Sequence, residues 1–139
     1  SNPKSAATQP DIALKTIDLT LRAHGFHTKF DAELAPVMMG DEFCQVLNDC
    51  LSEISTNILK YGDRSYAIRI QSGVEGNWLR VRIENEVSST PQRSQSSRMG
   101  LEIMGRRLNA LNGSLLIRDS DNTWETEISI PLSERGERL

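Results

Sequence analysis

Three polar residues interrupt apolar patterns in this chain, and their types set the chemistry open to it. In "LSEISTNILKYG" (residues 51–62) Asn57 falls inside the apolar arc of a helical repeat. At ~100° per residue it lies between the directions of Val46 and Cys50. Glu53 sits one turn earlier at the arc's edge, and Lys60 lies on the same flank. An unpaired amide in an apolar setting costs roughly 1–3 kcal/mol, so Asn57 needs a partner. Backbone or water can supply one, and so can a ligand. Asn85 raises the same question: it continues the inward side of a strand after Leu79, Val81 and Ile83, where the apolar alternation stops. Read alone, it is equally a strand-ending turn residue. Taken together, the two amides suggest a polar-lined pocket. In "RMGLEIMGRRL", Gly100 stands where a polar loop meets a helix, with Arg98 just before it. A glycine there lets backbone N–H groups approach an anion, although it also fits an ordinary helix start. Arg106 and Arg107, further along, read as surface ion pairs.

Regular elements must hold these residues. Residues 12–23 have a weak helical period and read as the end of an upstream helix, and "GFHTKF" reads as a short strand. Asp41 is a plausible N-cap for a helix running to about Tyr61. Phe43, Val46, Leu47, Cys50, Leu51, Ile54, Ile58 and Tyr61 share its apolar face. "SYAIRIQ" alternates with Tyr66, Ile68 and Ile70 on one side. "GVEGN" is a hairpin turn, and "WLRVRIEN" turns Leu79, Val81 and Ile83 inward. "SSTPQRSQSSR" (residues 88–98) has no apolar residue and predicts a mobile loop. A helix over about 99–111 follows, with Leu101, Met104, Leu108 and Leu111 inward and Gly113 as its C-terminal cap. "SLLIRDS" and "WETEISIPL" predict a closing hairpin that turns at Asp121 and Asn122. The pattern predicts an α/β (α+β) two-layer sandwich, with helices on one face of a mixed, mainly antiparallel sheet of hairpin-like strand pairs.

The 139 residues fit one domain. The division expected is a scar and lead-in over 1–24, a domain over 25–132 and a solvated tail over 133–139. The net charge of −3 argues against general binding to nucleic acid or to anionic membrane. No apolar run approaches the ~18 residues of a membrane span. Cys44 and Cys50 have neither disulfide nor zinc spacing and read as reduced core thiols in a cytosolic setting. His24 and His27 lack the further ligands a metal site needs.

The helix pattern E-x-x-x-N-x-x-K, a hairpin ending in I-E-N, a polar lid and "GLEIMGRRLNALNGSL" together resemble a known family. It is the ATP-binding domain of two-component sensor histidine kinases, of the GHKL superfamily and its Bergerat fold. The last box is most like the nitrate/nitrite-sensor type. The resemblance spans about residues 25–132. It implies that Asn57 holds the Mg²⁺ bridging the ATP phosphates, and that Glu53 polarises the nucleophile or organises water. It places Lys60 near the phosphates and Asn85 at the adenine amino group, where the family has an aspartate. It makes residues 88–98 the ATP lid and Met99, Gly100 and Leu101 its distal hinge. The chain departs from the pattern at Tyr61, where a histidine is common, and at Val87 and Arg98, where glycines are usual.

The implied function is the catalytic domain of a bacterial sensor kinase. It would donate the γ-phosphate to a histidine on a separate dimerisation domain, with a response regulator downstream. No acceptor histidine is expected within the chain, so the isolated domain should not autophosphorylate. The implied location is cytoplasmic, without direct membrane contact, leaving open an anchor elsewhere in the parent protein. Two alternatives remain: a serine kinase of the anti-sigma-factor type, and a degenerate pseudo-ATPase that serves as a docking module.

Overall fold

The structure, a computed structural model, describes residues 8–32, 39–88 and 95–132, the first three of the last stretch by backbone alone. Helix α1 (Pro10–Ala23) begins with proline, whose missing N–H is not needed in a first turn. It buries Leu14, Ile17 and Leu21 in the common core. Its Asp18 is fully buried, and Oδ1 accepts a 2.5 Å hydrogen bond from Thr28 Oγ1 on β1 (Thr28–Ala32). Lys15 and Arg22 approach the same carboxylate at 3.6 and 3.8 Å. The helix expected as a lead-in is therefore pinned to the sheet and belongs to the core.

Helix α2 (Asp41–Tyr61) buries Val46, Leu47, Cys50, Leu51, Ile54 and Ile58 along one stripe, and Cys44 joins them. Its N-cap is Gly40 rather than Asp41. Asp41 lies in the first turn, where its charge opposes the positive end of the helix dipole. β2 (Ile68–Glu75) runs parallel to β1 because α2 crosses over between them. The expectation that every strand pair would be hairpin-like fails here. Tyr66 precedes the strand and is exposed, so it does not share the side of Ile68 and Ile70.

β3 (Trp78–Glu86) turns back antiparallel through Gly76, whose φ of +60° suits a residue without Cβ. Helix α3 (Gln95–Ala110) begins four residues earlier than expected, so the end of the polar segment is helical. Residues 89–94 of the expected mobile loop lie outside the described residues. Leu101 and Leu108 are fully buried, with Met104 and Leu111 packed beside them. The left-handed residue after α3 is Asn112 (φ 64°), not Gly113. Gly113 serves another need: a Cβ there would stand 2.6 Å from the Ser129 carbonyl.

β4 (Ser114–Ser120) and β5 (Thr123–Pro131) form the closing hairpin, and β5 inserts beside β3. The sheet order is β1-β2-β3-β5-β4. Leu79, Val81, Ile83, Ile128 and Ile130 face the helices. The open face carries an ion-pair ladder, with Arg82 bonding Glu125 at 3.1 Å and Arg118 bonding Glu127 at 2.8 Å. Among the described residues, three helices on one side of a five-stranded mixed sheet make the two-layer sandwich that the patterning predicts.

Candidate functional site

The helical repeat and the strand alternation each carry one amide to the same place. Asn57 leaves the C-terminal half of α2 and Asn85 leaves the end of β3, and both line a cleft with Ile54, Ile58, Tyr61, Val87 and Trp124. Asn85 is only 4% exposed, and its Nδ2 donates to the Glu86 carbonyl at 3.2 Å. The Asn57 Nδ2 is buried with no hydrogen-bond partner. Turning that amide by 180° exchanges donor for acceptor in the same space, so Asn57 can offer a ligand either one. An orphaned amide in a cleft wall is unfavourable, and a polar ligand that met it would remove that cost.

The cleft's far rim is tied by backbone. Gly62 and Val87 form a bridge, the Val87 N–H donates to the Asn122 carbonyl at 2.7 Å, and Ser88 N–H donates to the Tyr61 carbonyl at 2.9 Å. These bonds join the end of α2, the end of β3 and the β4–β5 turn into one frame. The cleft, together with its solvent-open part, measures about 380 Å³. The cavity within it is about 20 Å³, room for about one water.

The other candidate residues divide. Glu53 does not line the cleft; its carboxylate rests against α3, where a Cβ on Gly100 would lie 2.6 Å from Oε2. Gly100 thus lies within the helix, at its contact with α2, rather than at its opening. Leu101 is buried beneath it and Met99 is 57% exposed. Lys60 is exposed on the outer flank of α2. Arg98 lies on the outside of the cleft, with its guanidinium 5.3 Å from the Trp124 ring centre and 3.6 Å from an Asp119 oxygen. Arg107 bonds Asp49 on α2 at 2.8 Å, as an ion pair rather than a ligand contact.

Trp124 is the residue that sequence reasoning missed as part of the site. Its inward alternation on β5 was legible; its position opposite Asn85 depends on the β3–β5 pairing. For a divalent cation, no group of three or more His, Cys, Asp or Glu side chains converges among the described residues. Asn57 as a lone oxygen donor fits a magnesium that brings phosphate oxygens and waters as its other ligands. It would not suit a cation held by protein alone. Among the described residues, no helix is long and apolar enough to cross a membrane.

No family model and no curated protein sequence matches the chain. Solved structures do match. The histidine kinase AdeS of Acinetobacter baumannii aligns at 16% identity over 89% of this chain and 63% of its own, with a TM-score of 0.66. The histidine kinase domain of the blue-light activated kinase of Erythrobacter litoralis aligns at 22% identity over 88% of this chain and 58% of its own, with a TM-score of 0.65. The chain thus spans about three fifths of these two. The catalytic domain of the histidine kinase ThkA aligns at 14% identity over 87% of this chain and 90% of its own, with a TM-score of 0.68. This chain therefore has the fold of a histidine kinase catalytic domain.

Proposed function

We propose that the chain is the catalytic, ATP-binding domain of a two-component sensor histidine kinase. The observation that carries this reading is the convergence of Asn57 and Asn85 on one cleft, within a fold shared with such kinases. In this reading Asn85 meets the base at the inner end, Val87 and Tyr61 frame it, and Asn57 offers its amide oxygen to a phosphate-bound Mg²⁺. Bound magnesium would supply charge neutralisation of the triphosphate. Glu53 stands one turn from Asn57 and polarises the incoming nucleophile or its water. Lys60, on the outer flank of α2, and Arg98, outside the cleft, would bring positive charge towards the phosphates, and Met99, Gly100 and Leu101 form the hinge of the lid. Transfer relies on positioning and electrostatics more than on covalent chemistry by the chain. The acceptor histidine sits on a separate dimerisation domain, and a response regulator takes the phosphoryl group onward. The nitrate/nitrite-sensor subtype rests on the "GLEIMGRRLNALNGSL" box alone.

A melting titration tests the reading. Saturable MgATP binding with Kd near 100 μM, at about 10 mM ligand, stabilises by roughly 2.7 kcal/mol. Asn57→Ala should remove the magnesium-dependent part of that shift. A second reading, the docking module that has lost nucleotide, is favoured by the narrowness of the cleft. Absence of any shift at every concentration up to about 10 mM would support it instead.

A further inference from the structure

The cleft that joins Asn57 to Asn85 is narrow, and one of its walls, the Trp124 side chain, is contacted by Arg98. Trp124 lies on β5 between its cross-strand partners Asn85 on β3 and Asp119 on β4. Its indole walls the cleft opposite α2. Arg98, in the first turn of α3, stacks 5.3 Å above the indole and pairs with Asp119 at 3.6 Å. The free space left is about one water, far less than a purine needs.

Something must move for a base to enter, and the backbone of the walls is held in regular structure. Ile54, Asn57, Ile58 and Tyr61 are fixed along α2. Asn85 is held in β3 by its pairing with β5, and Val87 by its bonds to residues 62 and 122. The indole turns on two side-chain torsions. Its contacts include a cation–aromatic one with Arg98, which in turn pairs with Asp119; exposed contacts of both kinds are weak classes of interaction.

We infer that Trp124 is the gate of this cleft: a nucleotide enters by displacing the indole from Arg98, so that occupancy is felt at the start of α3. The inference rests on the reading that the cleft takes a nucleotide. It makes Trp124 a determinant of affinity, since apparent binding is lowered by the fraction of molecules in which the gate is shut.

Two measurements on the full chain test it. First, MgATP is titrated against the wild-type chain and Trp124→Ala by melting temperature. An open cleft should tighten apparent Kd by about threefold or more. Second, Trp78→Phe leaves Trp124 as the sole tryptophan; Trp78 starts β3, at the other end of that strand from Asn85. MgATP should then change Trp124 emission and its quenching by acrylamide with the same midpoint as the melting shift. This arm holds even where Trp124→Ala folds poorly. Equal Kd values for both chains, or a saturating melting shift with unchanged Trp124 emission, would overturn the gate while leaving the nucleotide reading standing. No MgATP effect on either chain would bring down both together. Binding by Trp124→Ala alone would establish the gate at its strongest.

Discussion

At the scale of single residues, Asn57 separates function from stability. Its Nδ2 is buried without a partner. Asn57→Leu fills similar volume without an orphaned donor, so the ligand-free chain should gain about 1 kcal/mol, read from chemical denaturation. The same variant should lose the magnesium-dependent response to ATP. A residue kept for packing would give the opposite sign in the first measurement. Cys50 makes a different point. Burial, the largest cause, pushes its thiol from 9.0 to about 12, against a smaller lowering by Arg107. The folded state therefore holds this proton after the unfolded chain has released it. Between about pH 9 and pH 12 stability should fall as pH rises, at a slope of roughly 1 kcal/mol per pH unit, and Cys50→Ala should lack that slope. Urea unfolding at pH 8 and pH 10 checks it.

At the scale of elements, two glycines that look alike in sequence do different work. A Cβ at Gly113 would stand 2.6 Å from the backbone oxygen of Ser129, which cannot withdraw without breaking the sheet. Gly113→Ala should cost about 1–3 kcal/mol, as overpacking does. At Gly100 the obstacle is the end of the Glu53 side chain, which can swing away, and alanine favours a helix by about 1 kcal/mol. Gly100→Ala should leave the melting temperature nearly unchanged yet displace the Glu53 carboxylate, so phosphotransfer to a supplied histidine domain should suffer more than folding. Gly100, which the sequence places at the hinge of the lid, also lies at the contact between α2 and α3. Periodicity could not distinguish these, because it reports which face is buried and not what lies across it.

At the scale of the whole molecule, α1 and the open sheet face set stability. Leu14, Ile17 and Leu21 enter the common core, and Asp18 bonds Thr28. A chain starting at residue 25 should lose cooperative melting, whereas a domain with a dispensable lead-in would keep it. On the open face, the hydrogen bond from Arg118, with the charges of Arg82 and Arg118, holds the Glu127 carboxyl below its ordinary value against the opposing effect of burial. A depressed carboxylate contributes stability that is present above its unfolded value and lost as pH falls through its folded one. Acid unfolding should therefore be less steep in Glu127→Gln across the pH range below about 4.5.

Much of this architecture was legible in the chain itself. Alternation at Leu79, Val81 and Ile83 and helical spacing from Val46 to Ile58 are consequences of local geometry, since side-chain direction repeats every two or 3.6 residues. The same arithmetic pointed Asn57 and Asn85 inward. Local geometry cannot say which strands meet. That β5 slips between β3 and β4, setting Trp124 beside Asn85 and beneath Arg98, depends on non-consecutive pairing and on α3 crossing over it. The residues of the cleft were written in the sequence; its closure was decided only when distant segments packed, because free volume belongs to the walls together.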